Sequence, residues 1–136
     1  MTSPTSGVIY SLFVGIDIAA TTASVAWISL GNKVTRALNI DQSPQGFSIL
    51  QQRLLSTGHS AASTLVVMEA TGSYWITLAT YLTQTGFAAS VINPAQAHYF
   101  AKALLKRAKT NAIDAQTLAQ LASSLQPTVE YPDGDA

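Results

Sequence analysis

Between residues 8 and 40 the sequence holds three successive strand-like runs joined by connections too short for a helix, and from residue 43 helix and strand patterns alternate. Few folds accept that order. Val8–Ile16 is rich in Val, Ile, Leu and Phe and predicts a buried strand. Thr22–Leu30, with Val25, Trp27 and Ile28, predicts a second, and Gly31-Asn32 a tight reversal into a third over Lys33–Ile40. Ser43-Pro44 opens a helix carrying Phe47, Leu50 and Leu54 at apolar spacing, with Ile49 and Leu55 beside them and Gly58 as its stop. Thr64–Met68 is a short continuous apolar run, the form of an interior parallel strand. A helix over Tyr74–Thr85, a strand over Phe87–Ile92, a helix from Asn93-Pro94 to Leu105 and a last helix over Ala112–Leu125 complete the pattern.

Parallel strands need crossover connections, so this order implies a mixed sheet with helices on its faces. A three-strand antiparallel meander followed by two parallel strands makes a five-stranded α/β fold of the ribonuclease H-like order. The same order also admits other α/β sandwiches. Residues 1–7 are expected to form a flexible leader, 8–126 one domain, and 127–136 a flexible acidic tail. With 48% hydrophobic and 10% charged residues, a chain of 136 can build a core and is not disordered for most of its length. No apolar stretch is long enough to cross a bilayer, and the N-terminus lacks the basic start of a secretory signal. Without cysteine there is no disulfide framework and no thiolate metal site. The expectation is a cytoplasmic protein with no membrane partner.

Only four carboxylates precede residue 130: Asp17, Asp41, Glu69 and Asp114. Asp17 follows Leu12-Phe13-Val14-Gly15-Ile16, Glu69 follows Leu65-Val66-Val67-Met68, and Asp114 lies within Ala112-Ile113-Asp114-Ala115. A carboxylate beside a buried apolar segment is costly to desolvate unless it is paired or binds a metal. In an open α/β sheet, functional groups collect at the carboxyl ends of parallel strands. Asp17 and Glu69 would end neighbouring strands, and the final helix would bring Asp114 over the same edge. Asn111, three residues earlier, would share its helix face. Hard cations such as Mg²⁺ or Mn²⁺ prefer such oxygen ligands, and a two-ion site can activate a nucleophile and stabilise a leaving oxygen in phosphoryl transfer.

Taken singly, an Asp after a strand is more often a turn or cap residue, and Asp114 alone reads as a solvated helix position. Their joint placement in so acid-poor a chain reverses that balance. Asp41, beside Gln42-Ser43-Pro44, reads as a cap or turn, and His59 and His98 receive no metal role. Residues 1–129 carry seven bases against four acids, and Lys102, Lys106, Arg107 and Lys109 cluster just before Asp114. The cluster suits a phosphate backbone, the ordinary alternative being a solvated helix face. Tyr74 reads about equally as a stacking surface for a base or sugar near Glu69 and as core, whereas Trp75 reads as core.

Four segments occur in order: Phe13-Val14-Gly15-Ile16-Asp17-Ile18, Met68-Glu69-Ala70-Thr71-Gly72-Ser73-Tyr74-Trp75, Val91-Ile92-Asn93-Pro94, and Arg107-Ala108-Lys109-Thr110-Asn111-Ala112-Ile113-Asp114-Ala115. Together they resemble the N-terminal domain of the DEDD transposases, the insertion-sequence recombinases that include the pilin-gene invertases. The resemblance implies a Holliday-junction-resolvase-like domain with a metal-binding acidic tetrad. Asp17, Glu69 and Asp114 match its first, second and fourth positions; Asn111 stands at the third, where the family has Asp. Asn offers one neutral carbonyl oxygen, so metal binding is expected to be weaker there. The resemblance further implies DNA as substrate, a guide RNA and self-association in the full-length parent, and a serine-bearing C-terminal domain absent from this chain. The function expected is the catalytic domain of a metal-dependent DNA transposase or site-specific recombinase. The alternatives are a structure-selective junction nuclease and a weakened nucleic-acid-binding or dimerising module. An actin-type ATPase, suggested by Asp17 through Thr22, needs a second lobe for which 136 residues leave no room.

Overall fold

The longest apolar run becomes the middle strand of the sheet, as expected of a segment that can bury both faces. The computed structural model describes residues 9–104 and 114–129; Lys106, Arg107, Lys109 and Asn111, and the expected leader and most of the tail, lie outside the described residues. Strand β1 (Leu12–Ile18) pairs antiparallel with β2 (Thr22–Ser29) and parallel with β4 (Thr64–Glu69). Beyond them β3 (Leu38–Asp41) joins β2 antiparallel, and β5 (Ala88–Ile92) joins β4 in parallel. The order β3-β2-β1-β4-β5 is the mixed, ribonuclease H-like sheet expected from the sequence.

Alternation along β1 divides the core in two. Leu12, Val14, Ile16 and Ile18 meet Phe47, Leu50 and Leu54 of α1 (Pro44–Leu55) and Leu78 and Leu82 of α2 (Trp75–Gln84). On the other face Phe13, Leu65 and Val67 meet Ala97 of α3 (Pro94–Leu104) and Leu118 and Leu121 of α4 (Ala115–Leu125). Gly15 lies on this second face, and its lack of a side chain sets how closely α4 approaches. A Cβ there would strike the backbone oxygen of Ala115 and nitrogen of Ala119, and would lie 2.7 Å from the carbonyl carbon of Leu118. The helix therefore rests directly on the strand.

Several boundaries differ from expectation. Asp17 lies within β1, paired with Ser24, because the β1–β2 ladder runs on to Ile18 and Ala23. The third strand starts at Leu38 rather than Lys33. Upstream, only Thr35 clings to β2, its N–H donating to the Trp27 carbonyl (2.9 Å) and its hydroxyl accepting from the Trp27 N–H (3.0 Å). Asp41 is the exposed last residue of β3, and Ser43 is the cap of α1, its hydroxyl accepting from Gly46 N–H at 3.0 Å. Ile49 and Leu55 are exposed rather than core. Asp114 is not inside the last helix. Its backbone is extended, and its side chain caps α4 by accepting from Thr117 N–H at 2.8 Å.

Candidate functional site

Because β1 and β4 run parallel in register, Asp17 and Glu69 come at the carboxyl ends of neighbouring strands, one step beyond the paired residues Ile16 and Met68. Each is half-buried. The contact of α4 with Gly15 brings the start of that helix, and so Asp114, over the same end of β1. Asp114 is exposed, and its capping bond engages Oδ1. A carboxylate has a second oxygen with which to take a ligand.

The electrostatics record the convergence. Burial pushes the Asp17 carboxyl above its usual range, and the negative charge of Asp114 pushes it further. Burial likewise raises Glu69; His98 opposes the rise, Asp17 adds to it, and a hydrogen bond from the Thr71 side chain opposes it. Asp17 is thus near enough to Asp114, and Glu69 to Asp17, for charge to act between them. Among the described residues no group of three His, Asp or Glu side chains is close enough together to hold one metal ion. The chemistry nevertheless fits a hard divalent cation: the donors are carboxylate oxygens, and two of them, on Asp17 and Glu69, are held half-buried at neighbouring strand ends.

His98 is the site residue that sequence reasoning set aside. It lies on α3, the helix leaving β5 beside Glu69, and it is near enough for its charge to act on that carboxyl. Nothing in its local sequence marks it; the signal is its place on the first helix after the strand paired with Glu69. His59 behaves as expected and stays outside the site. It bridges the Ser11 hydroxyl (2.7 Å) and the Ser29 hydroxyl (3.3 Å) at the opposite end of β1 and β2. Tyr74 is 50% exposed just beyond the Glu69 strand, and its carbonyl accepts from the Gln42 amide at 3.0 Å. The same amide donates to Ala19 O at 2.9 Å, which ties the turn after Asp17 to the turn after Glu69. Trp75 is half-buried against the first core, its indole N–H donating to Gly72 O at 3.2 Å. Gly72 adopts φ +58°, a left-handed conformation that favours glycine, in the turn following Glu69. Lys102 is exposed on α3.

A mixed five-stranded sheet of this order, flanked by helices on both faces, is the ribonuclease H-like arrangement, with Asp17 and Glu69 half-buried at the carboxyl ends of its first two parallel strands. A family model for the IS110-type DEDD transposases, described as a transposase, matches residues 14–135, and the chain belongs to that family. It is also 29% identical over 123 residues to the pilin gene-inverting proteins of Moraxella bovis and Moraxella lacunata. Those matches cover 90% of this chain but only 38% of either relative, so the chain spans well under half their length. Among solved structures it is similar to T. thermophilus RuvC in complex with a Holliday junction substrate, at 15% identity and a TM-score of 0.41 over 80% of this chain and 87% of that one. No helix among the described residues is long and apolar enough to cross a membrane.

Proposed function

We propose that this domain supplies the carboxylates for metal-assisted cleavage and transfer of DNA strands in a transposase or site-specific recombinase. The observation that carries the reading is geometric: the parallel register sets Asp17 beside Glu69 at the carboxyl ends of β1 and β4, and the helix that rests on Gly15 begins at Asp114. Asp17, Glu69 and Asp114 would hold Mg²⁺ or Mn²⁺, with Asn111 contributing a neutral oxygen. A bound divalent ion supplies Lewis-acid stabilisation of a phosphoryl oxygen and lowers the pKa of an attacking water or hydroxyl. The chain's own contribution is positional. Asp17 is fixed by the β1–β2 ladder, Glu69 by β4, and Asp114 by its bond to the first turn of α4. Lys102, Lys106, Arg107 and Lys109 would hold the phosphate backbone beside the acids, and Tyr74 would lie against a base or sugar. In the full-length recombinase, a guide RNA directing the target and self-association joining two DNA ends belong to the same proposal.

The test is calorimetric titration of Mn²⁺ into the chain and into Asp17→Ala. Binding that disappears in the variant is expected, and Asn111→Asp is expected to tighten it. If Mn²⁺ binds no better to the wild-type chain than to Asp17→Ala, the metal reading is refuted in favour of an inert nucleic-acid-binding or dimerising module. Cleavage of branched DNA with indifference to element-end sequences would instead identify a junction nuclease.

A further inference from the structure

Helix α3 presents three kinds of surface. Ala97 and Ala101 are buried toward the sheet and α4, and His98 faces Glu69 closely enough to act on its carboxyl. The outer ridge carries Tyr99, which is 73% exposed, and the exposed Lys102. Residues three apart on a helix are surface neighbours, as are residues four apart, so Lys102 adjoins both Tyr99 and His98. Tyr99 is not a loose side chain on a featureless surface. Its ring meets the half-buried Phe100 edge-on at 6.2 Å between centroids, and Phe100 is itself packed against the second core. One ring face is thereby left to solvent on a braced base.

We infer that the outer ridge of α3 is a rail for an unpaired nucleic-acid strand, with one base stacked on Tyr99 and the adjoining phosphate on Lys102. The argument for a nucleic acid rather than a protein partner is charge. The sequence has no acidic residue between Glu69 and Asp114, whereas α3 carries Lys102. An aromatic face beside a cation is the combination that binds single strands, because every base offers a π-face and every link a phosphate. A duplex keeps its base faces stacked, so the ridge selects an unpaired stretch. The inference deepens the functional reading, since such a strand would run beside Glu69. It does not depend on metal binding.

Fluorescence anisotropy of labelled oligo-dT and oligo-rU of equal length, with the full chain in EDTA, tests it. Tyr99→Ala is expected to weaken binding of the preferred oligomer by roughly tenfold, the loss of one stacked base, while Tyr99→Phe retains it and duplex binding is unchanged. The salt dependence should persist in Tyr99→Ala, and Lys102→Ala should lower its slope by roughly 0.7, one phosphate contact on a single strand. The oligomer whose affinity depends on Tyr99 identifies the strand as DNA or RNA. Unchanged affinity of Tyr99→Ala for both oligomers overturns the proposal. So does a Tyr99→Ala loss of self-association, measured by sedimentation, without loss of strand binding. Loss of Mn²⁺ affinity in Asp17→Ala with Tyr99-dependent binding intact, or the reverse, separates this inference from the metal reading.

Discussion

Replacing Gly15 by Ala should both destabilise the domain and open its acid site, and the size of each effect follows from one contact. The new methyl carbon would sit 2.7 Å from the carbonyl carbon of Leu118 and closer still to Ala115 O and Ala119 N. Carbon atoms in comfortable contact are about 3.5–4 Å apart, so α4 must withdraw by about 1 Å. The three nearest obstructing atoms are all helix backbone, which no side-chain rotation can relieve. Overpacking of this kind costs about 1–3 kcal/mol, and Ala in a strand interior recovers about 0.5–1 kcal/mol of the conformational entropy that Gly loses. The net loss expected is about 1–2 kcal/mol, read as a fall of about 1 M in the urea midpoint. Ala115 directly follows Asp114, so the same withdrawal carries that carboxylate away from Asp17. A misplacement of about 1 Å can cost roughly 100-fold in catalysis, and weaker Mn²⁺ binding by calorimetry should accompany it. A Gly15→Ala chain that unfolds within about 0.5 kcal/mol of the wild type, with unaltered Mn²⁺ affinity, would refute the docking of α4 on β1.

Asp114 has two duties that substitution can part. Asn caps a helix as well as Asp does, so Asp114→Asn should leave urea stability within about 0.5 kcal/mol while weakening Mn²⁺ binding, whereas Asp114→Ala should lose about 1 kcal/mol as well. For Asp17 the sign of the pH effect is unusual among acids. Its carboxyl is raised in the folded state by burial and by Asp114, so the folded chain holds the proton more tightly than the unfolded one and stability declines as pH climbs from the unfolded to the folded pKa. In EDTA at pH 7, Asp17→Asn should therefore melt higher than the wild type by an amount worth less than about 1 kcal/mol, given how exposed the group is. That gain should vanish below the unfolded carboxylate value of about 3.9, and equal melting temperatures at pH 7 would contradict the electrostatics described.

The strands and helices were legible wherever a local pattern carried the physics. Thr64–Met68 read as an interior strand because a segment buried on both faces must be apolar throughout, and Ser43-Pro44 announced a helix start because a hydroxyl cap and a proline first turn act within four residues. The topology followed, since short turns force antiparallel pairing and crossovers permit parallel pairing. Failures came where a distant element decided the outcome. Lys33–Ile40 looked like one strand, yet only its last residues pair in the ladder while Thr35 bonds Trp27 with backbone and side chain alike. Asp114 looked helical because composition does not distinguish a residue inside a helix from the extended residue that caps it.

By itself, then, the sequence determined the mixed five-stranded order and the identity of the scarce acids, because burial and turn chemistry are short-range constraints written residue by residue. Only the tertiary structure decided that Asp17 lies near enough to Asp114 for charge to act, that His98 lies likewise near Glu69, and that Gly15 is where a helix lies against a strand. Those relations join segments tens of residues apart, and their energies, Coulombic and steric, depend on distances in space that no local periodicity encodes.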